Sequence, residues 1–316
     1  YVTCQNGGFM FDFMPKVLKE IADNYAPEAF FGNRWAGSGM CWCNVCRTKF
    51  RAATGLELPA SSDTDGPRRR AYIAWDAQMR WAQYTLWNDT VRASKPDCFF
   101  SPNGGMNDPA KVTIPMIAAD RQGRSGLTPV WANGKYAKTA RATMGHLPVA
   151  GLFNIGVEDE NRWKDSVQAD AEIEAWVRGG IAQGFRPWMC KFDAQIIDPR
   201  WMPVVEKIYA WHFAHDRYLR NTGNLARVAL VNSRQSGTFY GGGGANGHNA
   251  RVADAQNGYY QALVEARIPF EMVDDRLLDA RHLAPYRVLV LPNIAALSDR
   301  QCGQLRDYVM GGGYVT

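Results

Sequence analysis

Short apolar runs alternate along the chain with longer stretches in which apolar positions recur every three or four residues. YVTC (1–4), EAFFGN (28–33), DCFFSPN (97–103), IPMIAAD (114–120), PVAGLFNIG (148–156) and FRPWMCKFD (185–193) have the length and β-branched or aromatic content of strands. DFMPKVLKEIADNY and the stretch from Arg68 to Ser94 carry the helical period, and helix formers fill the later gaps. Strands that alternate with helices predict a parallel sheet, because a parallel pair needs a long crossover and a helix supplies it. Six strand–helix units precede residue 222, and a closed (β/α)8 TIM barrel needs eight. The expectation is that units three to eight are present and that the first strands lie ahead of Tyr1.

The pattern changes at Leu225. LARVALVNS, PFEMV and YRVLVLPN read as strands, Asn249 to Ala266 as a helix, and SDRQCGQLRDYVMGGG as a capped helix that runs into a last strand, YVT. This predicts a doubly wound, flavodoxin-like α/β domain that is cut short. The expected domains are therefore 1–222, the barrel, and 223–316, the smaller domain. The chain opens without Met and closes inside an apolar run, so it reads as a piece of a longer protein, and nothing in it fixes a compartment.

Composition narrows the partners. Hydrophobic residues make up 46% and charged residues 21% of 316 residues, which is enough apolar surface for a large core. No apolar run reaches the roughly 18 residues that a membrane span requires. The net charge of +5 is dispersed, with RRR at 68–70 as the one basic cluster; a nucleic-acid binder concentrates such charge on one element. Neither a membrane nor a nucleic acid is expected as partner.

The cysteines are concentrated. GSGMCWCNVCRTKF (37–50) places Cys41, Cys43 and Cys46 in C-x-C-x-x-C spacing, three of seven cysteines within six residues. Thiolates so spaced can converge on one Zn²⁺, and Cys4, at the end of the neighbouring strand, can complete a tetrahedron. Free thiols on a surface loop are the alternative. A closed four-thiolate site has no open position for water, so the ion would be structural and the chemistry would lie beside the loop. Two other motifs take plainer readings. His212 and His215, one helical turn apart, have no third ligand nearby, and GGGANG (242–247) lies ten residues past Asn232, too far from its strand to cradle a pyrophosphate. No organic cofactor is expected.

Carboxylates at strand ends are the strongest chemical signal, because a parallel barrel carries its active site at the carboxyl ends of its strands. Asp120 ends IPMIAAD, Glu158, Asp159 and Glu160 follow PVAGLFNIG, and Asp193 ends FRPWMCKFD. Two carboxyl groups that face each other across a sugar, one protonated and one ionised, are what glycoside hydrolysis requires. Trp35, Trp131, Trp163 and Trp188 fall near the same ends, where flat rings can stack on sugars. Asn33, Arg34, Asn103, Arg121, Arg162 and Lys191 sit among them as candidate hydroxyl-binding groups. Asp165, with Gln168 three residues on, reads as the N-cap of the next helix.

FFGNRWAGSGMCWCNVCRTKF, TGLELP, WKDSVQ, ARVALVNS and EARIPFEMVDDRLLD together resemble the uncharacterised glycosyl-hydrolase-like proteins in which a barrel precedes a β-galactosidase trimerisation domain, themselves similar to glycoside hydrolase family 42. The resemblance implies a TIM barrel, a structural zinc on the cysteine cluster, a flavodoxin-like domain that helps build trimers, and a carbohydrate substrate. Family 42 enzymes are retaining β-galactosidases with an acid/base Glu after the fourth strand and a nucleophile Glu after the seventh. Glu158 matches the seventh-strand position. After the fourth strand this chain reads GNRW, with Asn33 and no Glu, a departure from the family pattern. The expected catalytic pair is then Glu158 as nucleophile or base and Asp120 as general acid. Asn33, Arg34, Trp35, Asn103, Arg121, Arg162, Trp163 and Lys191 are the expected sugar-binding set, and a carbohydrate-binding barrel without turnover is the alternative.

Overall fold

The computed structural model describes residues 3–33, 35, 39–63, 66–103, 117–120 (backbone only), 122–124, 126–145, 147–156, 166–191, 195–220, 223–240 and 250–316. Two compact units contain them: 1–103 with 235–250, and 104–234 with 251–316.

In the first unit a π-helical turn, Phe9–Phe13, runs into α1 (Met14–Tyr25), which stops where Ala26 turns left-handed at φ 44°. β1 (Ala29–Gly32), α2 (Asn44–Thr54), α3 (Pro67–Ser94) and β2 (Phe99–Pro102) follow, and α7 (Arg234–Phe239) opens the returning segment. β1 and β2 pair in parallel with Gly32 beside Pro102, so the residues that follow each strand emerge together. α3 starts on Pro67 and buries Tyr72, Trp75, Gln83, Trp87 and Val91, a face spaced at helical intervals. Trp87 meets Phe100 of β2 edge to face at 5.1 Å, and the side-chain Oδ1 of Asn88 accepts the Phe100 backbone N–H at 3.1 Å. A second aromatic cluster, Phe50, Tyr72 and Trp75, joins α2 to α3.

The second unit holds two parallel sheets. β3 (Ile117–Asp120), β4 (Val149–Phe153) and β5 (Phe185–Met189) form one, in that order, with α4 (Ala132–Met144), α5 (Asp170–Ala182) and α6 (Met202–His215) as the intervening and following helices. β4 is buried along its whole length, as a central strand covered on both faces must be. The other sheet has the order β7–β6–β8–β9, from β6 (Val228–Asn232), β7 (Phe270–Asp274), β8 (Val288–Val290) and β9 (Tyr314–Val315). Its helices are α8 (Ala250–Glu265), α9 (Ala280–Leu283) and α10 (Asp299–Met310), the last opened by a complete Ser298/Gln301 capping box. α4 links the two sheets. Trp131 at its start packs on Tyr260 of α8 at 4.8 Å, Arg141 pairs with Glu271, and Lys138 donates to the Phe270 carbonyl of β7.

The element pattern predicted from the sequence is therefore present from β1 onward, and the chain is an α/β protein with parallel sheets. Four local expectations are corrected. Thr3 and Cys4 are not in a strand, while Tyr1 and Val2 lie outside the described residues. The cysteine segment is not all loop, because α2 begins at Asn44 and carries Cys46 in its first turn. Helix α5 starts at Asp170 with Ala169 as its N-cap; Asp165 lies outside the described residues, and Gln168 bonds the Gly156 carbonyl instead of closing a capping box. Trp131 is a packing residue between helices and not an open stacking platform.

Two strand glycines sit against an aromatic ring of the neighbouring strand. A Cβ on Gly32 would lie 2.3 Å from Cζ of Phe100, and one on Gly151 would lie 2.4 Å from Cδ2 of Phe185. Gly151→Ala is expected to lower stability by about 1–3 kcal/mol through overpacking. Gly179→Ala, where a Cβ meets nothing within 4 Å in the interior of α5, should instead raise it by about 0.4–1 kcal/mol. Urea unfolding midpoints of the two variants check both signs.

Candidate functional site

Parallel register places the residues after each strand on one edge of each sheet. In the first unit these are Asn33 and Asn103. The Asn103 backbone N–H donates to the Gly32 carbonyl at 2.9 Å, and its side-chain Nδ2 donates to Asn33 Oδ1 at 3.0 Å. Trp35 Nε1 donates to the Asn103 carbonyl at 3.3 Å. Trp35 is only 6% exposed and meets Phe100 edge to face, so it fixes the asparagine pair from behind. Gln83, fully buried in α3, donates to the Trp35 carbonyl at 2.7 Å. Sequence reasoning missed Gln83. Its signal was a polar amide at i+4 from Met79 and i−4 from Trp87, on the buried face of a helix.

In the second unit the strand ends bring Asp120 beside Leu152 in register and place Asn154 directly after β4. Asn154, 3% exposed, accepts the Gly156 N–H on Oδ1 at 2.9 Å, and its Nδ2 has no partner among the described residues. Gln168 is close by: a Cβ built on Gly123 would have Gln168 Nε2 at 3.7 Å and Asn154 Nδ2 at 3.8 Å. Asn154 was also missed, although an Asn directly after an apolar strand was visible in FNIG. Lys191 is half-buried just past β5, after Cys190, whose N–H donates to the Phe153 carbonyl at 2.8 Å. Arg34, Arg121, Glu158, Asp159, Glu160, Arg162, Trp163 and Asp193 lie outside the described residues, and of Asp120 only the backbone is described. The predicted Asp120/Glu158 pair therefore has no geometry here. His212 and His215 lie in α6. His215 Nδ1 contacts the Trp211 carbonyl at 2.8 Å, and neither joins a group of metal-ligating residues among the described residues.

The cysteines do converge. Cys4, Cys41, Cys43 and Cys46 keep their sulfur atoms within 4.8 Å of one another, with Cys4–Cys46 at 3.4 Å and Cys4–Cys43 at 3.5 Å. Four sulfurs about 2.3 Å from one ion are about 3.8 Å apart along the edges of a tetrahedron, so the set fits a metal without rearrangement of the backbone. Local structure makes this arrangement. Cys43 is the residue before α2, and Cys46 sits in the first turn, so the Cys46 backbone N–H reaches the Cys43 sulfur. The Cys4 segment makes the matching turn, with Gly7 N–H on the Cys4 carbonyl at 3.1 Å and the Asn6 backbone N–H on the Cys4 sulfur. Below lie Phe50, Tyr72 and Trp75.

These surroundings divide the thiols. The hydrogen bond from the Cys46 backbone pulls the Cys43 thiol down to about 7, whereas burial pushes the Cys4 and Cys46 thiols up. A thiol with a lowered pKa is more thiolate at neutral pH and reacts faster. In metal-free protein, iodoacetamide labelling read by mass spectrometry should modify Cys43 ahead of Cys46, with the Cys43 yield rising through a midpoint near pH 7.

No protein-family model and no curated protein matches the chain. Solved structures do. The β-galactosidase from Bacillus circulans sp. alkalophilus superposes with TM-score 0.76 at 12% identity, over 99% of this chain and 55% of that one. A GH42 β-galactosidase, Gan42B, gives 0.73 at 12% identity over 99% and 55%. The β-galactosidase from Rahnella sp. R3 gives 0.72 at 13% over 99% and 54%. The chain spans about half the length of the structures it matches. Nearly every residue is accommodated by one known architecture, and the fold of this chain is that of the GH42 β-galactosidases.

Proposed function

We propose that the chain is part of a glycoside hydrolase whose carbohydrate site lies at the carboxyl ends of its barrel strands. The observation that carries this reading is the likeness in fold to GH42 β-galactosidases over 99% of the chain. In this reading β1 to β5 are the fourth to eighth staves of a TIM barrel within residues 1–222, and the β7–β6–β8–β9 sheet is the core of a flavodoxin-like domain, 223–316, that contributes to a trimer. Glu158, after the seventh stave, is the nucleophile or base, and Asp120 is the general acid. Proximity of two carboxyl groups raises the pKa of one of them, which keeps it protonated for leaving-group assistance. Asn33 and Asn103, already bonded to each other, offer amide groups to sugar hydroxyls, with Arg34, Arg121, Arg162, Trp163 and Lys191 completing the binding set and the buried Trp35 holding the Asn103 carbonyl from behind.

Glu158→Gln in the full-length protein is expected to lower turnover by about three orders of magnitude or more on any glycoside that the unaltered protein cleaves, as loss of an essential carboxylate does. Unchanged turnover removes Glu158 from the mechanism. A second reading has an observation of its own in support: the ends of β1 and β2 present amides, Asn33 and Asn103, and the fourth-stave position lacks a carboxylate. A barrel that binds carbohydrate without cleaving it would have that character. A glycan panel scored for both binding and hydrolysis separates the two.

The four cysteines are proposed to hold a structural zinc ion. A closed thiolate set supplies folding free energy and no open coordination position. About one equivalent of zinc per chain is expected in protein purified under reducing conditions, with Cys43→Ser losing it and a chelator lowering the melting temperature. Metal analysis that finds none in the unaltered protein removes the assignment.

A further inference from the structure

We infer that Asn6 sets the affinity of the four-cysteine site, by donating its side-chain N–H to the sulfur of Cys46, 3.4 Å away. The inference rests on the reading that the cysteines bind metal. Four thiolates around a divalent cation carry a net charge of −2, and here they sit against Phe50, Tyr72 and Trp75. Excess negative charge beside an apolar cluster is costly unless N–H donors point at the sulfurs. Cys43 has such a donor in the Cys46 backbone, and Cys4 has one in the backbone of Asn6. Cys46 is the most buried of the four, at 1% exposure, and its side-chain donor is Asn6.

The placement of Asn6 is specific. The residue is 5% exposed, so its amide is withdrawn from water. Its Oδ1 has no hydrogen-bond partner among the described residues, so no competing bond among them orients the group. The reverse orientation would set the amide oxygen against sulfur lone pairs, which repel it. The backbone is pinned independently, because Lys49 of α2 donates to the Asn6 carbonyl at 2.8 Å while its ammonium lies 4.5 Å from the Phe11 ring centre. One residue thus donates to two sulfurs from different parts of the set. Groups that orient and neutralise metal ligands in this way are commonly worth about 10- to 100-fold in metal affinity.

The test uses the full chain, with Zn²⁺ competed against a chromogenic chelator and with Co²⁺ as a spectroscopic probe. Asn6→Leu, similar in volume and without a donor, is expected to bind Zn²⁺ about 10- to 100-fold more weakly. Its sulfur-to-cobalt charge-transfer band should move to lower energy, because a thiolate relieved of its hydrogen bond gives up an electron more readily. Should Asn6→Leu not fold, Asn6→Asp keeps the shape, loses the donor and adds a like charge, and is expected to weaken binding further. If the unaltered protein binds both ions and the folded variant matches it within about twofold with an unmoved band, Asn6 has only a packing role and the inference fails alone. If the unaltered protein binds neither ion, the metal reading fails and the inference with it.

Discussion

Parallel pairing in register is the constraint from which the rest of the structure follows. Gly32 beside Pro102, Asp120 beside Leu152 and Leu152 beside Trp188 mean that successive strands end level with one another. Every crossover must then be a helix or a long loop, and the polar residues that follow the strands collect along one edge of each sheet. Asn33 and Asn103 are bonded for this reason, 70 positions apart in sequence. Asn154 reaches its place at the β4 edge in the same way. Close approach of paired strands requires the absence of a side chain at Gly32, beside Phe100 of β2, and at Gly151, beside Phe185 of β5, so the placement of the strand-end residues rests on packing within the sheets.

Polar groups inside the first unit work as a connected support. Gln83, within an aromatic helix face, holds the Trp35 carbonyl; Trp35 holds the Asn103 carbonyl; Asn103 holds Asn33. A buried amide is costly without partners, and here its donor is spent on the segment after β1. Nearer its N-terminus, on the same buried face, α3 supplies Tyr72 and Trp75 to the floor of the cysteine cluster. One long helix therefore buttresses both the strand-end asparagines and the candidate metal centre.

The second unit joins its sheets through α4, whose Arg141, Lys138 and Trp131 engage β7 and α8. This was not legible from the sequence. Trp131 near a strand end read as a sugar platform, because a single aromatic residue carries no label that separates ligand stacking from packing. Only the presence of Tyr260 4.8 Å away decides it. The helix start at Asp170 was obscured for a related reason: Asp165 and Gln168 have capping-box spacing, but Gln168 finds a stronger local demand in the Gly156 carbonyl. Helix α2 was hidden because C-x-C-x-x-C drew attention as a loop, although NVCRTKFRAAT has helical periodicity and ends on Gly55 at φ 72°.

By itself the sequence determined the alternation of strands and helices, the capped helix at Ser298 and the C-x-C-x-x-C spacing of Cys41, Cys43 and Cys46. These rest on local period, local capping chemistry and ligand spacing, all readable over a few residues at a time. Tertiary structure alone decided that Asn6 meets Cys46 across 40 positions, that Gln83 meets Trp35 across 48, and that α4 belongs to two sheets at once. Such contacts depend on where distant segments are carried by register and crossover, and a pattern with a period of two or 3.6 residues holds no information about partners that far away.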